Sequence, residues 1–255
     1  MQRCFSAALQ VLFAAAFVAW GLPGFRAIAQ ELSAAQPTTP TTLSPEIRGD
    51  LAMARQQYIA AIEAYREAPA ESAQIWNKIG LAYHHLFAVD EARRDYMHAL
   101  RLQPDYPEAL NNLGAVYYAK GNFRKAEKYY HRSIQLDAKS AAVYSNLGTT
   151  YFAEQKFSEG IAAYRRAFAL DPHIFEEGTP QLVNEALPVH SRAQQDFCLA
   201  KLFAQAGHYD RAIDLLRRAL NEGFTDRKEI LQDESLASLR TLPEFTLLMA
   251  EEKLQ

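Results

Sequence analysis

The stretch from 107 to 140, PEALNNLGAVYYAKGNFRKAEKYYHRSIQLDAKS, sets the pattern from which the fold is predicted. Its bulky, glycine, tyrosine and alanine positions recur at an interval of 34 residues before and after it. Eight columns agree over the units 73–106, 107–140 and 141–174: Trp76, Leu110 and Tyr144; Ile79, Leu113 and Leu147; Gly80, Gly114 and Gly148; Tyr83, Tyr117 and Tyr151; Ala92, Ala126 and Gly160; Tyr96, Tyr130 and Tyr164; Ala99, Ser133 and Ala167; Pro104, Ala138 and Pro172. A fixed period of this length indicates an array of stacked repeats.

Within each unit the columns have helical spacing. Positions 4, 7, 8 and 11 of the unit fall at i, i+3, i+4 and i+7, which is one face of a first helix, and positions 20, 24 and 27 form the matching face of a second helix. Small residues such as Gly80 and Ala92 let the two helices approach closely. Because one helix pair cannot bury its own apolar face, the units must stack, and the predicted fold is all-α.

This pattern of bulky residue, Leu-Gly, Tyr, Ala, aromatic, Ala and Pro resembles the tetratricopeptide repeat. The resemblance implies an all-α solenoid of stacked antiparallel helix pairs. Weaker units flank the three clear ones, with a degenerate N-terminal repeat at 45–72, an insertion at 175–192 and a further repeat at 193–226. Residues 227–255 are predicted to form a C-terminal capping helical segment over the last repeat.

The first 29 residues differ in composition from the rest of the chain. They contain no acidic residue, they are almost entirely apolar between Phe5 and Phe25, and they end in Ala27-Ile28-Ala29. This pattern predicts a secretory signal peptide at 1–29, followed by a flexible Thr/Pro-rich linker at 30–44. The alternative is an uncleaved membrane anchor at 5–25, a segment long enough to span a bilayer. We therefore expect an exported protein, periplasmic or secreted, with no membrane span in the mature chain.

Composition excludes several classes of protein. The chain has 27 Lys and Arg against 30 Asp and Glu, a net charge of -3, which does not support nucleic-acid binding through a basic surface. Its 14 Phe, 13 Tyr and 2 Trp exclude disorder of the whole chain. The two cysteines cannot form a disulfide framework. Cys198, which alone remains after cleavage, is expected to be a buried thiol or, if exposed, to form an intermolecular disulfide.

Chemistry-bearing motifs are missing from the sequence. It contains no nucleophile-elbow serine, zinc-protease, dinucleotide-binding or phosphate-loop motif. The adjacent His84 and His85 would point about 100° apart on a helix, so they are not expected to chelate one ion. The sequence therefore predicts no catalytic residue, no metal site and no cofactor.

The resemblance also implies that the first helices line a concave groove. The candidate partner-binding residues in that groove are Asn77, Lys78, Leu81, His84, Asn111, Asn112, Tyr118, Ser145, Asn146, Thr149 and Phe152. Asn112 and Asn146 are equivalent residues, so their amides either bind an extended peptide backbone or orient neighbouring helices. Co-chaperone members of the family grip a C-terminal carboxylate with Lys, Asn and Arg side chains, and of that set only Asn112 is present at a matching position.

These features together predict a non-catalytic interaction module or assembly scaffold that binds a peptide or a partner helix in the groove. Two alternatives remain open. The protein could be a non-catalytic subunit of an envelope-biogenesis or enzyme complex, or a structural stack that oligomerises through its convex or terminal surface. The repeat specifies a scaffold and leaves the ligand to surface residues, so the sequence does not name the partner.

Overall fold

The computed structural model describes residues 43–175, 189–224 and 226–250. The predicted signal peptide, most of the linker and most of the insertion lie outside these residues. The residues from Ser44 onward form one compact unit, and in its described part every regular element is a helix, which confirms the predicted all-α class. The helices are α1 Pro45–Ala54, α2 Tyr58–Arg66, α3 Ala73–His85, α4 Val89–Leu102, α5 Pro107–Ala119, α6 Phe123–Leu136, α7 Ala141–Ala153, α8 Phe157–Leu170, α9 Val189–Gln205, α10 Tyr209–Asn221, α11 Arg227–Gln232, a 3-10 helix Glu234–Thr241, and α12 Pro243–Ala250.

The first ten α-helices form five pairs, called repeats 1 to 5 in chain order. Each pair packs together, and the second helix of each of the first three pairs also contacts the first helix of the next, which builds the stack. Helix α9 begins at Val189, so 189–192, assigned to the insertion from the sequence, belong to the first helix of repeat 5. No helix in the described ranges is long and apolar enough to cross a membrane.

A tight turn joins the two helices of every repeat, and each turn holds one residue in the left-handed region of backbone space. These residues are Gln56, Phe87, Gly121, Gln155 and Gly207, with φ values of 58°, 57°, 70°, 60° and 84°. Glycine adopts this conformation without steric penalty, whereas a bulky side chain is strained there. The turn therefore recurs through the array whether or not glycine is present.

Close contact between a glycine and a tyrosine ring fixes how the two helices of repeats 1 to 4 cross. A Cβ atom added to Gly49, Gly80, Gly114 or Gly148 would lie 2.2–2.7 Å from the nearest ring atom of, respectively, Tyr65, Tyr96, Tyr130 or Tyr164. Repeat 5 carries Ala200 and Leu216 at the equivalent places, and both are fully buried. Ala200 is larger than the glycine of the other repeats and Leu216 is smaller than their tyrosine, so the two changes in side-chain volume offset each other.

The two ends of the stack differ. At the C-terminal end the 3-10 helix packs on α9, and α12 packs on α10. Their apolar side chains Leu236, Leu239, Phe245 and Leu248 are buried at 2% exposure or less. At the other end, Ile47 and Leu51 lie one helical turn apart on α1 and are 48% and 42% exposed. The segment predicted as a cap therefore buries apolar surface of its own against repeat 5.

Candidate functional site

The predicted binding residues all lie on the first helices α3, α5 and α7, and the structure divides them by burial. Asn77, Asn112, Tyr118, Ser145, Asn146, Thr149 and Phe152 are buried. Lys78, Leu81, His84 and Asn111 are partly exposed. The exposed part of this surface, called here the first-helix face, therefore lies in repeats 2 and 3.

Four asparagines form a chain of hydrogen bonds across the three first helices. Asn112 Nδ2 donates to Asn77 Oδ1 over 3.0 Å, and Asn146 Nδ2 donates to Asn111 Oδ1 over 3.0 Å. A longer bond of 3.4 Å, from Asn111 Nδ2 to Asn112 Oδ1, joins the two halves. This chain of amides thus links the first helices of repeats 2, 3 and 4.

Lys78 connects the first two repeats. Its Nζ lies 2.8 Å from Glu46 Oε1 and 2.8 and 2.9 Å from the carboxylate oxygens of Asp50, both on α1. Asp50 also accepts a 2.7 Å hydrogen bond from the Tyr65 hydroxyl. Burial lowers the pKa of Lys78, but its hydrogen bonds to Asp50 and Glu46 outweigh burial and keep the pKa above its ordinary value. The ammonium group is therefore engaged with α1.

The buried end of the predicted groove is held by a second polar cluster. Thr149 Oγ1 and the Tyr164 hydroxyl are 2.8 Å apart, and Gln195 Nε2 on α9 donates to the same hydroxyl. The Phe175 ring packs on Tyr164 with centroids 4.8 Å apart. Gln195 and Phe175 were not identified from the sequence, because Phe175 lies in the predicted insertion and Gln195 is not at one of the recurring positions of its repeat. This cluster ties repeat 4 to repeat 5.

Several buried polar atoms in the described part of the chain have no hydrogen-bond partner, among them His84 Nδ1 and the hydroxyls of Tyr96, Tyr118 and Tyr130. His84 and Tyr118 are equivalent residues near the ends of α3 and α5. Burial, and to a lesser degree His85, lowers the pKa of His84, so its imidazole is neutral at pH 7. Such unpaired atoms are rare in folded proteins and call for an explanation at each place.

Family comparison identifies the array. Models of the tetratricopeptide repeat match residues 71–139, 112–173 and 199–228, which together span more than half of the chain. This is a tetratricopeptide-repeat protein. No curated protein matches it at a significant level.

Solved structures similar to this tetratricopeptide-repeat protein include MamA, with 19% identity over 68% of this chain and 93% of that chain and a TM-score of 0.47. Another is YrrB, described as a TPR protein with an unusual peptide-binding site, with 16% identity, 79% and 93% coverage and a TM-score of 0.46. A third is the first TPR of Spaghetti (RPAP3) bound to the HSP90 peptide SRMEEVD, with 27% identity, 43% and 86% coverage and a TM-score of 0.40.

The Cys198 thiol of this tetratricopeptide-repeat protein is buried and has low reactivity. Cys198 is 2% exposed, and burial raises the pKa of its thiol to about 12, so little thiolate forms at neutral pH. Within the described ranges no three His, Cys, Asp or Glu side chains are grouped so that they could hold a metal ion. Cys198 therefore fits the buried thiol expected from the sequence.

Proposed function

We propose that this tetratricopeptide-repeat protein is a non-catalytic interaction module that binds a peptide or partner helix on its first-helix face. The observation that carries the proposal is that Leu81, His84 and Asn111 are partly exposed on the adjacent first helices α3 and α5. Leu81 and Asn111, both partly exposed on α3 and α5, offer apolar and hydrogen-bonding contacts.

The amide chain explains how such a surface would bind. Because Asn112 is bonded to Asn77 and Asn146 to Asn111, the helices that present the face are fixed before a ligand arrives. A preformed surface avoids the entropic cost of ordering side chains during binding. The buried amides therefore act as the scaffold, while the partly exposed residues make the contacts.

The test is a crosslinking pull-down of the mature protein from cells that produce it, using Leu81→Ala with His84→Ala. We expect partner capture to fall at least tenfold while the thermal unfolding midpoint stays within a few degrees. The matched control is Leu102→Ala with His208→Ala, which changes the same residue types at exposed places outside the first-helix face. Equal capture by wild type and the first variant would contradict the proposal, as would equal losses in both variants.

We further propose that the protein is exported and that residues 1–29 are removed. The support is the Ala27-Ile28-Ala29 pattern after an apolar segment without acidic residues. Mass spectrometry of the protein recovered from producing cells is expected to find Gln30 as the amino terminus. Retention of residues 5–25 in the membrane fraction would favour the anchored alternative instead. Co-purification with an enzyme or envelope complex would favour a subunit role for the module.

A further inference from the structure

A row of cations occupies the outer surface of α6. Arg124, Lys128 and Arg132 stand four residues apart, so they lie above one another on one side of the helix, and all three are exposed. Arg132 donates only a long 3.5 Å bond to the Pro104 carbonyl. In the part of the chain that the structure describes, none of the three has a carboxylate within salt-bridge distance. Like charges at this spacing destabilise a helix.

The equivalent positions in other repeats carry different charges. In α4 they begin with Asp90 and Arg94, and neighbouring Glu91 pairs with Arg94 over 2.8 Å. In α10 they are Asp210, Asp214 and Arg218, and Arg217 pairs with Asp214 over 3.3 Å. The repeat therefore does not require a row of cations at these positions.

The position of two cations along α6 is also unfavourable. Arg124 and Lys125 lie in its first turn, which contains no acidic residue, whereas the first turn of α4 contains Asp90 and Glu91. The partial positive charge at a helix N-terminus favours anions and disfavours cations there. The single carboxylate of α6, Glu127, is already bound over 3.0 Å by Lys156, the residue that precedes α8. Helix α6 thus carries a locally unfavourable charge pattern that its own chain does not neutralise.

Further exposed cations lie on the second helix of the next repeat. Lys156, which directly precedes α8, contacts Glu127 of α6, and Arg165 and Arg166 on α8 are exposed. Lys125 lies 5.1 Å from the centre of the Tyr117 ring, and the Arg166 guanidinium lies 5.8 Å from that of Tyr144, so both cations rest on aromatic faces. We call these six residues the basic surface: Arg124, Lys125, Lys128, Arg132, Arg165 and Arg166.

From this arrangement we infer that the basic surface binds an extended acidic segment of a partner polypeptide. Residues four apart on a helix rise by about 6 Å, and alternate residues of an extended chain are about 6.6 Å apart. A segment with an acidic side chain at every second residue would therefore match Arg124, Lys128 and Arg132 in turn. The chain as a whole is acidic, with a net charge of -3, so a broad anionic surface such as a bilayer would be repelled beyond the patch.

This inference concerns a surface on the second helices and stands apart from the first-helix face. The test is fluorescence anisotropy with a labelled five-residue peptide in which Glu and Ser alternate and Glu stands first, third and fifth. A second peptide carries Gln in place of each Glu. The binding variant is Arg124→Gln, Lys128→Gln and Arg132→Gln. The matched control is Arg94→Gln, Lys120→Gln and Arg217→Gln, which removes the same charge from cations that have carboxylate partners.

We expect the Glu peptide to bind the wild type and the control within twofold of each other, and the binding variant at least tenfold more weakly. Raising the salt from 50 to 300 mM should weaken wild-type binding. The binding variant should unfold at the same temperature as wild type or higher, since repulsion within α6 is relieved. Binding of the Gln peptide with equal affinity would overturn the inference, as would equal losses in both variants. Tighter binding to vesicles of three parts phosphatidylcholine to one part phosphatidylglycerol, or to a 20-base-pair DNA duplex, would overturn it too.

Discussion

Four equivalent tyrosines differ in one respect that a mutation series can measure. The Tyr65 hydroxyl donates to Asp50, and the Tyr164 hydroxyl bonds to Thr149 and Gln195. The hydroxyls of Tyr96 and Tyr130 are buried without a partner among the described residues. The cause lies in the first helices, because repeats 2 and 3 carry Leu81 and Ala115 where repeats 1 and 4 carry Asp50 and Thr149. Replacing each tyrosine by phenylalanine removes the hydroxyl and keeps the ring on its glycine.

The expected change in the free energy of unfolding differs between the two tyrosines with a hydrogen-bond partner and the two without one. Tyr164→Phe removes two neutral hydrogen bonds and should lower the free energy of unfolding by about 1–3 kcal/mol. Tyr65→Phe removes one bond to a half-exposed carboxylate and should lower it by about 1 kcal/mol. Tyr130→Phe and Tyr96→Phe remove a buried hydroxyl without a partner, whose burial costs about 1–3 kcal/mol, so both should leave stability unchanged or raise it.

Urea denaturation followed by circular dichroism measures all four variants, and Ala115→Thr provides an internal check. Thr149 is the equivalent residue that bonds Tyr164, so Ala115→Thr is expected to give the Tyr130 hydroxyl a partner. The stabilisation should be present with Tyr130 and absent with Tyr130→Phe, a coupling of about 0.5–1.5 kcal/mol. Losses of similar size at all four tyrosines, or zero coupling in the double-mutant cycle, would refute the reasoning.

Three further outcomes are expected. Asn112→Ala breaks the middle of the amide chain and should lower the free energy of unfolding by about 1–2 kcal/mol in urea denaturation. Burial raises the pKa of Asp95 to about 6, so the folded state binds the carboxyl proton more tightly than the unfolded state does. The free energy of unfolding therefore falls as pH rises from about 4 to 6. Asp95→Asn should remove that part of the pH dependence and raise the melting temperature at pH 7. Phe87→Gly relieves a φ of 57° in a side chain that is 82% exposed and should raise the free energy of unfolding by about 0.5–1 kcal/mol.

The recurring helix pairs could be predicted from the sequence because their packing depends on residue size at fixed intervals. A glycine facing a tyrosine, as in Gly114 and Tyr130, recurs at the same positions in repeats 1 to 4. Within the segment 227–255, predicted as a helical cap, the separate short helix α11 was not predicted, although its start is marked: Asp226 accepts a 2.8 Å bond from the backbone N–H of Glu229. That capping pattern follows the end of the period, where a search for repeats no longer applies.

The partners of the predicted site residues could not be read from spacing. Asn112 bonds to Asn77 and Asn146 to Asn111, so each bond joins two different columns of the repeat. Which amides meet depends on how far one first helix is rotated against the next and on the rotamers of both side chains. Lys78 likewise bonds carboxylates of the degenerate repeat 1, whose first helix has few of the residues that recur in the other repeats.

Departures from the shared pattern identify functional surface more directly than the pattern itself does. The residues that repeats 1 to 4 share, such as the glycine and tyrosine pairs, are explained by packing, and the amide chain is explained by the link between helices. Arg124, Lys128 and Arg132 occupy positions where another repeat forms favourable ion pairs. They therefore lower the stability of α6, and no carboxylate in the described part of the chain compensates for this. Since the row of cations lowers the stability of α6, a partner that neutralises it gives the simplest account of why it is present.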